Sequence, residues 1–361
     1  MRILILLIFA TINCFSQTVD SLLYQLKNIP NDTERVNQIY RVGFEIRNSN
    51  PELAYQYALA CEQEALKITS DKHLAKSYNL LGVLFFKKGD YASAISFQKK
   101  ALALNQAAKY NLGMAINQTN LGNIYSELNY FNQAEAYYLK ALQVYNALNN
   151  KLQITRCLMN IGSLKNDQKQ YEAAKMQFKE ALVYANEIGD LELISDCNSN
   201  IGTNFINLNN LDSALIYLEE GLKLREMIDN ELEKANSYTN LAHLHILKKE
   251  FDTAKNYLNL SQAICDKYDY PEAKVELYGT LSFYCEAQKQ FELALIWQKK
   301  QVALNDSLQK LDKENNQLQF LDEDQSIPKT SNRDTSKGWL YGIIGLLSVI
   351  IVALIIKRKN E

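Results

Sequence analysis

Breakers are scarce in this sequence. Its 361 residues include 4 prolines and 13 glycines, too few to punctuate a protein made of many tight turns, so helices are favoured. A charge excess of one sign is also missing. The formal net charge is -2, which leaves no electrostatic footprint for nucleic acid. Histidine occurs only at His73, His243 and His245, and the last two, two apart on a helix, point to different faces and cannot chelate one metal. The six cysteines, Cys14, Cys61, Cys157, Cys197, Cys265 and Cys285, follow no CxxC or zinc spacing. They read as small buried apolar residues, with one disulfide left open. A phosphate-binding glycine loop and a GxSxG serine are both absent. No catalytic residue, no metal and no cofactor is expected, so the chain is read as a non-enzyme.

Both ends are apolar. Met1-Arg2, the run Ile3 to Ile12 and the Cys14-x-Ser16 site make a signal peptide over 1–16, cleaved before Gln17, with a retained signal anchor as the alternative. A lipoprotein through Cys14 fits less well, because Asn13 precedes it. Trp339 to Ile356 is uncharged and about 18 residues long, close to the ~20 needed to cross a bilayer. Trp339 and Tyr341 stand at one edge and Lys357-Arg358-Lys359 at the other, which puts the basic end inside. The expectation is a single-pass protein of the cytoplasmic (inner) membrane, with its body extracytoplasmic, in the periplasm.

Between the ends the sequence repeats. Ala54, Ala94, Ala134, Ala174, Ala214, Ala254 and Ala294 are spaced 40 apart without a slip. From the second unit on, a large residue stands three positions before each alanine (Tyr91, Phe131, Tyr171, Leu211, Phe251, Phe291) and a small one twelve before (Gly82, Gly122, Gly162, Gly202, Ala242, Ser282). Asn120, Asn160, Asn200 and Asn240 precede the small residue by two. A fixed period is the mark of a stacked array. The glycine column and the alanine column are expected to meet where the two helices of a unit cross, with the aromatic column filling the space between units. Ser70-Asp71, Asn149-Asn150, Gly189-Asp190, Asn230 and Asp269-Tyr270-Pro271 are turn residues suited to capping. Seven units begin near Arg35, Ala75, Ala115, Thr155, Ser195, Ala235 and Val275. The first is degenerate, with Val42-Gly43 in its small-residue region and Pro51 opening its second helix. Asp20 to Lys27 reads as a short capping helix before them.

The run Asn160-Ile161-Gly162, Tyr171-Glu172-Ala173-Ala174, Phe178 to Leu182, and its counterpart around Leu81-Gly82, Gly89-Asp90-Tyr91, Ala94 and Ala101-Leu102, resembles the tetratricopeptide repeat over roughly residues 35 to 305. That family's usual unit is 34 residues, so longer helices are implied here. The flanks Asn31 to Asn37 and Asn305 to Leu308 resemble the extracytoplasmic sensor halves of bacterial membrane histidine kinases and transcriptional regulators, without the output domain. The expected fold is an all-α, tetratricopeptide-type α-solenoid of about seven 40-residue helix-turn-helix repeats plus one C-terminal transmembrane helix. Its expected layout is signal peptide 1–16, N-terminal capping segment 17–34, repeat array 35–308, capping or juxtamembrane helix and polar tether 309–337, transmembrane helix 338–356 and cytoplasmic basic tail 357–361.

The resemblance implies that first helices line a concave binding face. The groove positions so implied are Val83, Phe86, Asn123, Asn166, Thr203, Ile206, His243, Ile246, Leu247 and Phe283. This mixed lining is expected to take a protein or peptide partner and no nucleic acid, with Ile206, Ile246 and Leu247 able to seat an apolar side chain. The alternative is a signalling subunit that relays a bound state through the transmembrane helix to a separate cytoplasmic protein. Leu304, Leu308, Leu311 and Leu318, with Asn315 between, suit a short coiled-coil seam and a homodimer, or a closing cap for the array.

Overall fold

The computed structural model describes residues 32–313 apart from residue 269, and all of the regular structure there is helical. Fourteen α-helices follow one another: α1 (Asp32–Glu45), α2 (Pro51–Lys67), α3 (Asp71–Lys87), α4 (Tyr91–Ala107), α5 (Asn111–Glu127), α6 (Phe131–Ala147), α7 (Lys151–Asp167), α8 (Tyr171–Ile188), α9 (Leu191–Asn207), α10 (Leu211–Met227), α11 (Glu231–Leu247), α12 (Phe251–Lys267), α13 (Pro271–Ala287) and α14 (Phe291–Lys313). From α2 on, every helix starts 20 residues after the one before. The 40-residue unit is thus two helices, mostly of 17 residues, joined by three-residue turns. Longer helices do absorb the difference from a 34-residue unit. First helices begin at Asp71, Asn111, Lys151, Leu191, Glu231 and Pro271, four residues before the unit starts read from the sequence. The alanine columns mark a buried position inside a helix and say little about where its first turn begins.

The turns share one device. Eleven of the thirteen turns carry one left-handed residue: Thr69, Gly89, Lys109, Asn129, Asn149, Lys169, Gly189, Asn209, Asp229, Lys249 and Lys289 all have φ between 49° and 78°. The next amide then bonds back across the helix end, as in Asp90 N–H to Phe85 carbonyl at 2.9 Å and Gln170 N–H to Lys165 carbonyl at 2.8 Å. That six-to-one bond satisfies a carbonyl the helix would leave orphaned. Asn50, Asp90, Asn150, Asp190, Asn210 and Asn230 cap the helices that follow through their side chains. Ser70, expected to do the same, instead pairs with His73 Nδ1 at 2.7 Å.

Packing explains the columns. Ala54, Ala94, Ala134, Ala174, Ala214 and Ala254 are completely buried. The glycines do not face these alanines, as the sequence suggested, but the large residue four positions after each. A Cβ on Gly162 would sit 2.5 Å from Phe178 Cε1, and one on Gly202 would sit 2.6 Å from Leu218 Cγ. The small residue makes a hollow for a large one, and burying a ring such as Phe178 contributes about 2–3 kcal/mol. The aromatic column opens each second helix as expected. Phe251, for instance, packs at 6.3 Å against Tyr284 of the next unit. Phe291, on the last described helix, is 67% exposed. The core is accordingly a series of overlapping clusters, each shared by neighbouring helices, as a stacked array requires.

Each first helix also touches the first helix of the next unit, while no successive pair of second helices makes a comparable contact. A stack whose first helices are closer together than its second helices bends toward the first helices, which places them on the inner face. The α11–α13 contact is the most extensive of these. It follows the one helix end where the cap is extended, at Tyr268 with φ -117° and ψ 138°.

The membrane-spanning part of the expected fold class is corrected. No helix among the described residues is long and apolar enough to cross a membrane. A 17-residue helix rises only ~26 Å, short of the ~30 Å of hydrocarbon, and each helix has polar and charged residues over its outward faces. The single-pass inner-membrane, periplasmic location is not supported, and the relay reading has no membrane helix to act through among the described residues. The segments that carried these expectations, 1–16, 338–356 and 357–361, lie outside the described residues, as do 17–31 and 314–337.

Candidate binding groove on the first helices

Hydrogen bonds between successive first helices identify the side chains on the inner face. Lys76 Nζ donates to Asn37 Oδ1 at 2.6 Å, and Asn79 Nδ2 to the Tyr40 hydroxyl at 3.2 Å, linking α3 to α1. Asn117 and Asn120 on α5 both donate to Asn79 Oδ1, at 3.2 and 2.8 Å. Asn160 on α7 donates to Asn123 Oδ1 at 3.1 Å, and Asn204 on α9 to Asn166 Oδ1 at 2.7 Å. Asn123 also accepts from the Tyr138 hydroxyl at 2.8 Å, whose burial pushes its pKa up and keeps it a donor. The result is a row of side-chain amides running from one first helix to the next. Beneath it, Gln98, Asn105 and Asn117 form a buried continuation, with Asn105 Nδ2 2.7 Å from Asn117 Oδ1. Among the described residues, no three His, Cys, Asp or Glu side chains come together to hold a metal.

The groove residues implied by the sequence lie as follows. Val83, Phe86, Asn123, Asn166, Thr203, Ile206, His243 and Phe283 are all half-buried, and Leu247 is exposed. Ile246 is in the core, 3% exposed. The fold brings Asn123 next to Asn160, and His243 edge-on to Phe283 with ring centroids 5.3 Å apart. Burial lowers the His243 pKa, so the ring is neutral near pH 7. Thr203 turns its hydroxyl back to the Ser199 carbonyl at 3.0 Å. The apolar trio does not form one surface, because Ile246 is withdrawn while Leu247 faces solvent.

Sequence reading missed α1 and the first half of α3 on this face. Tyr40 and Phe44 on α1, Arg47 in the turn after it and Lys76 on α3 join it through the contacts above, through ring stacking of Tyr40 on Phe44 at 5.7 Å and through the Arg47 guanidinium over the Phe44 ring. The signal was present in the Val42-Gly43 region, but Gly43 stands 39 residues before Gly82 and not 40, so the small-residue column does not carry over directly.

The tetratricopeptide repeat family model matches residues 73–147, 155–186 and 235–268, the same stretches that fold here as paired helices. Those stretches are tetratricopeptide repeats. No curated protein matches its sequence. Solved structures with the same fold include the apo form of RapI, at 15% identity and TM-score 0.62, covering 76% of this chain and 99% of that one. Another is aspartyl phosphate phosphatase F from Bacillus subtilis, at 16% identity and TM-score 0.58, covering 82% and 90%. A third is the Rap conjugation gene regulator of the plasmid pLS20 in complex with the Phr* peptide, at 17% identity and TM-score 0.55, covering 84% and 99%. These likenesses are to the fold of the repeat array, a protein-interaction scaffold.

Proposed function

We propose that this repeat protein holds an extended peptide, or an extended segment of a protein, along the inner face of its first helices. The observation that carries this reading is the row of half-buried amides Asn120, Asn123, Asn160 and Asn166 on successive first helices. An extended peptide presents unpaired N–H and C=O groups every ~3.3 Å. A primary amide offers one acceptor and two donors in a plane, so an asparagine can pair with a main-chain amide whatever the side chains are. Each such bond contributes ~0.5–1.5 kcal/mol net. Val83, Phe86, Thr203, Ile206, Leu247 and Phe283 would add the apolar contacts that select side chains, with His243 beside Phe283. The plasmid regulator with the same fold is a peptide complex, which supports the reading by analogy. On this account the protein acts by binding and not by catalysis.

The test is selection of binders from a random-peptide display library against the full chain, followed by substitution. Asn160→Leu and Asn123→Leu should each weaken the recovered peptides about tenfold. Leu139→Ser and Ile216→Ser, on exposed faces of α6 and α10, should leave affinity unchanged. Loss of binding on the outer-face changes, with the asparagine changes silent, would refute the groove.

A further inference from the structure

Charge is not spread evenly along the groove. At the α1–α3 end stand Arg47 and Lys76. The Arg47 guanidinium carbon lies 3.8 Å from the Phe44 ring centroid and bonds to the Phe44 carbonyl. Lys76 Nζ lies 5.6 Å from the Tyr40 ring centroid and donates to neutral Asn37. Neither makes an ion pair among the described residues. Both are half-buried, and burial holds both below their usual pKa. The charges of Lys72 and Arg156 add to this for Lys76 and Arg47 respectively, while the Glu34 carboxylate acts the other way on Lys76. Cations kept out of water, crowded by like charge and backed by aromatic rings lower their energy by taking an anion. At the α13 end the sign is reversed. Glu276 and Glu286 are exposed on either side of Phe283 in the sequence, and neither has an ion-pair partner among the described residues.

We propose that the groove is electrically polarised and takes an extended peptide in one sense, its carboxylate-bearing end against α1 and α3 and its ammonium- or guanidinium-bearing end against α13. This rests on the peptide-groove reading and adds a direction and a charge pattern to it. The amide row between the ends carries no charge preference of its own, because asparagine pairs with any main chain.

The probe is an mRNA-display library of random peptides about 18 residues long, reaching ~60 Å when extended, to match six steps of ~10 Å between neighbouring helices. Selection against the full chain should enrich Asp and Glu toward one end and Lys and Arg toward the other. A benzophenone at the acidic end of an enriched peptide should cross-link to α1 or α3. The double variant Arg47→Glu with Lys76→Glu should weaken such peptides at least about tenfold and select a library without the acidic end. Glu276→Lys with Glu286→Lys, both exposed, should erase the basic end and serves if the first pair misfolds. Enriched peptides with no charge polarity, or acidic ends that cross-link to α13, would overturn the polarity and leave the peptide groove standing. No enrichment at all would overturn both.

Discussion

Adding one methyl group at Gly162 tests the packing rule on which the repeat is built. A Cβ there would lie 2.5 Å from Phe178 Cε1 and 2.7 Å from Cδ1, against ~3.5–4.0 Å for a relaxed carbon contact. The ring would have to retreat by about 1 Å. It cannot do so freely, since Phe178 is 1% exposed and packed among Ala174, Ile201, Ala214 and Leu218. Overpacking costs ~1–3 kcal/mol, while replacing glycine by alanine inside a helix gains ~1 kcal/mol. Gly162→Ala alone should therefore destabilise by only ~0–2 kcal/mol. The decisive quantity is the coupling. Phe178→Ala costs ~3–5 kcal/mol through the cavity it opens, and in that background the clash is gone, so Gly162→Ala should become stabilising by ~1 kcal/mol. Urea unfolding followed by circular dichroism on the wild type, both single variants and the double gives the cycle. A coupling of ~1–3 kcal/mol is expected. The same effect of Gly162→Ala in both backgrounds, within ~0.5 kcal/mol, would show that the glycine column does not exist to receive the ring.

The turns give a second test: Gly189 has φ 75° with no atom near a built Cβ, and asparagine holds the same place at 129, 149 and 209. Gly189→Asn should change stability by less than ~0.5 kcal/mol and Gly189→Val should cost ~1–2 kcal/mol, as read by melting temperature. Glu64 is a buried carboxylate held by Arg35 at 3.0 Å and by Lys67. Burial alone would raise its pKa, but the bonds from Lys67 and Arg35 outweigh it and leave it lowered. Its contribution is present above the unfolded carboxylate pKa and is lost as pH falls through the lower folded value. Wild type should melt above Glu64→Gln at pH 7, with the gap closing in acid; a gap that widens in acid would contradict the ion pairs. Finally, burial pushes the thiols of Cys61, Cys157 and Cys197 up to about 12. They should resist iodoacetamide at pH 8 in the native protein and react in urea; rapid native labelling would refute their burial.

The repeat was legible because each column answers a steric demand that recurs at one place. An alanine with no room around it and a glycine that makes a hollow leave no alternative, so Ala174 and Gly162 could be aligned by eye. What faces the glycine was not legible, because Gln98, Tyr138, Phe178 and Leu218 share size and no chemistry. The left-handed turn residue escaped notice for a similar reason, as lysine, asparagine, threonine, aspartate and glycine all serve there. On the inner face, counting forward from the small residue found Asn123, Asn166 and His243. It gave Ile246 the same weight, although that side chain is buried between α11 and its neighbours, because a spacing rule cannot tell an inward-facing position from one that packs between helices. Arg47 was missed because the small residue of the first unit is out of register with the rest, and Lys76 because it precedes Gly82, from which the count ran forward.

Double electron–electron resonance reports most directly on the central claim, that first helices form the inner face on which a partner lies. Spin labels at Lys87 and Asn207 mark first helices three units apart, and labels at Lys100 and Glu220 mark second helices at the same separation; all four positions are exposed. The Lys87–Asn207 distance should be clearly the shorter. Equal distances, or a shorter one between the second helices, would put the partner on the wrong side of the molecule and contradict the account.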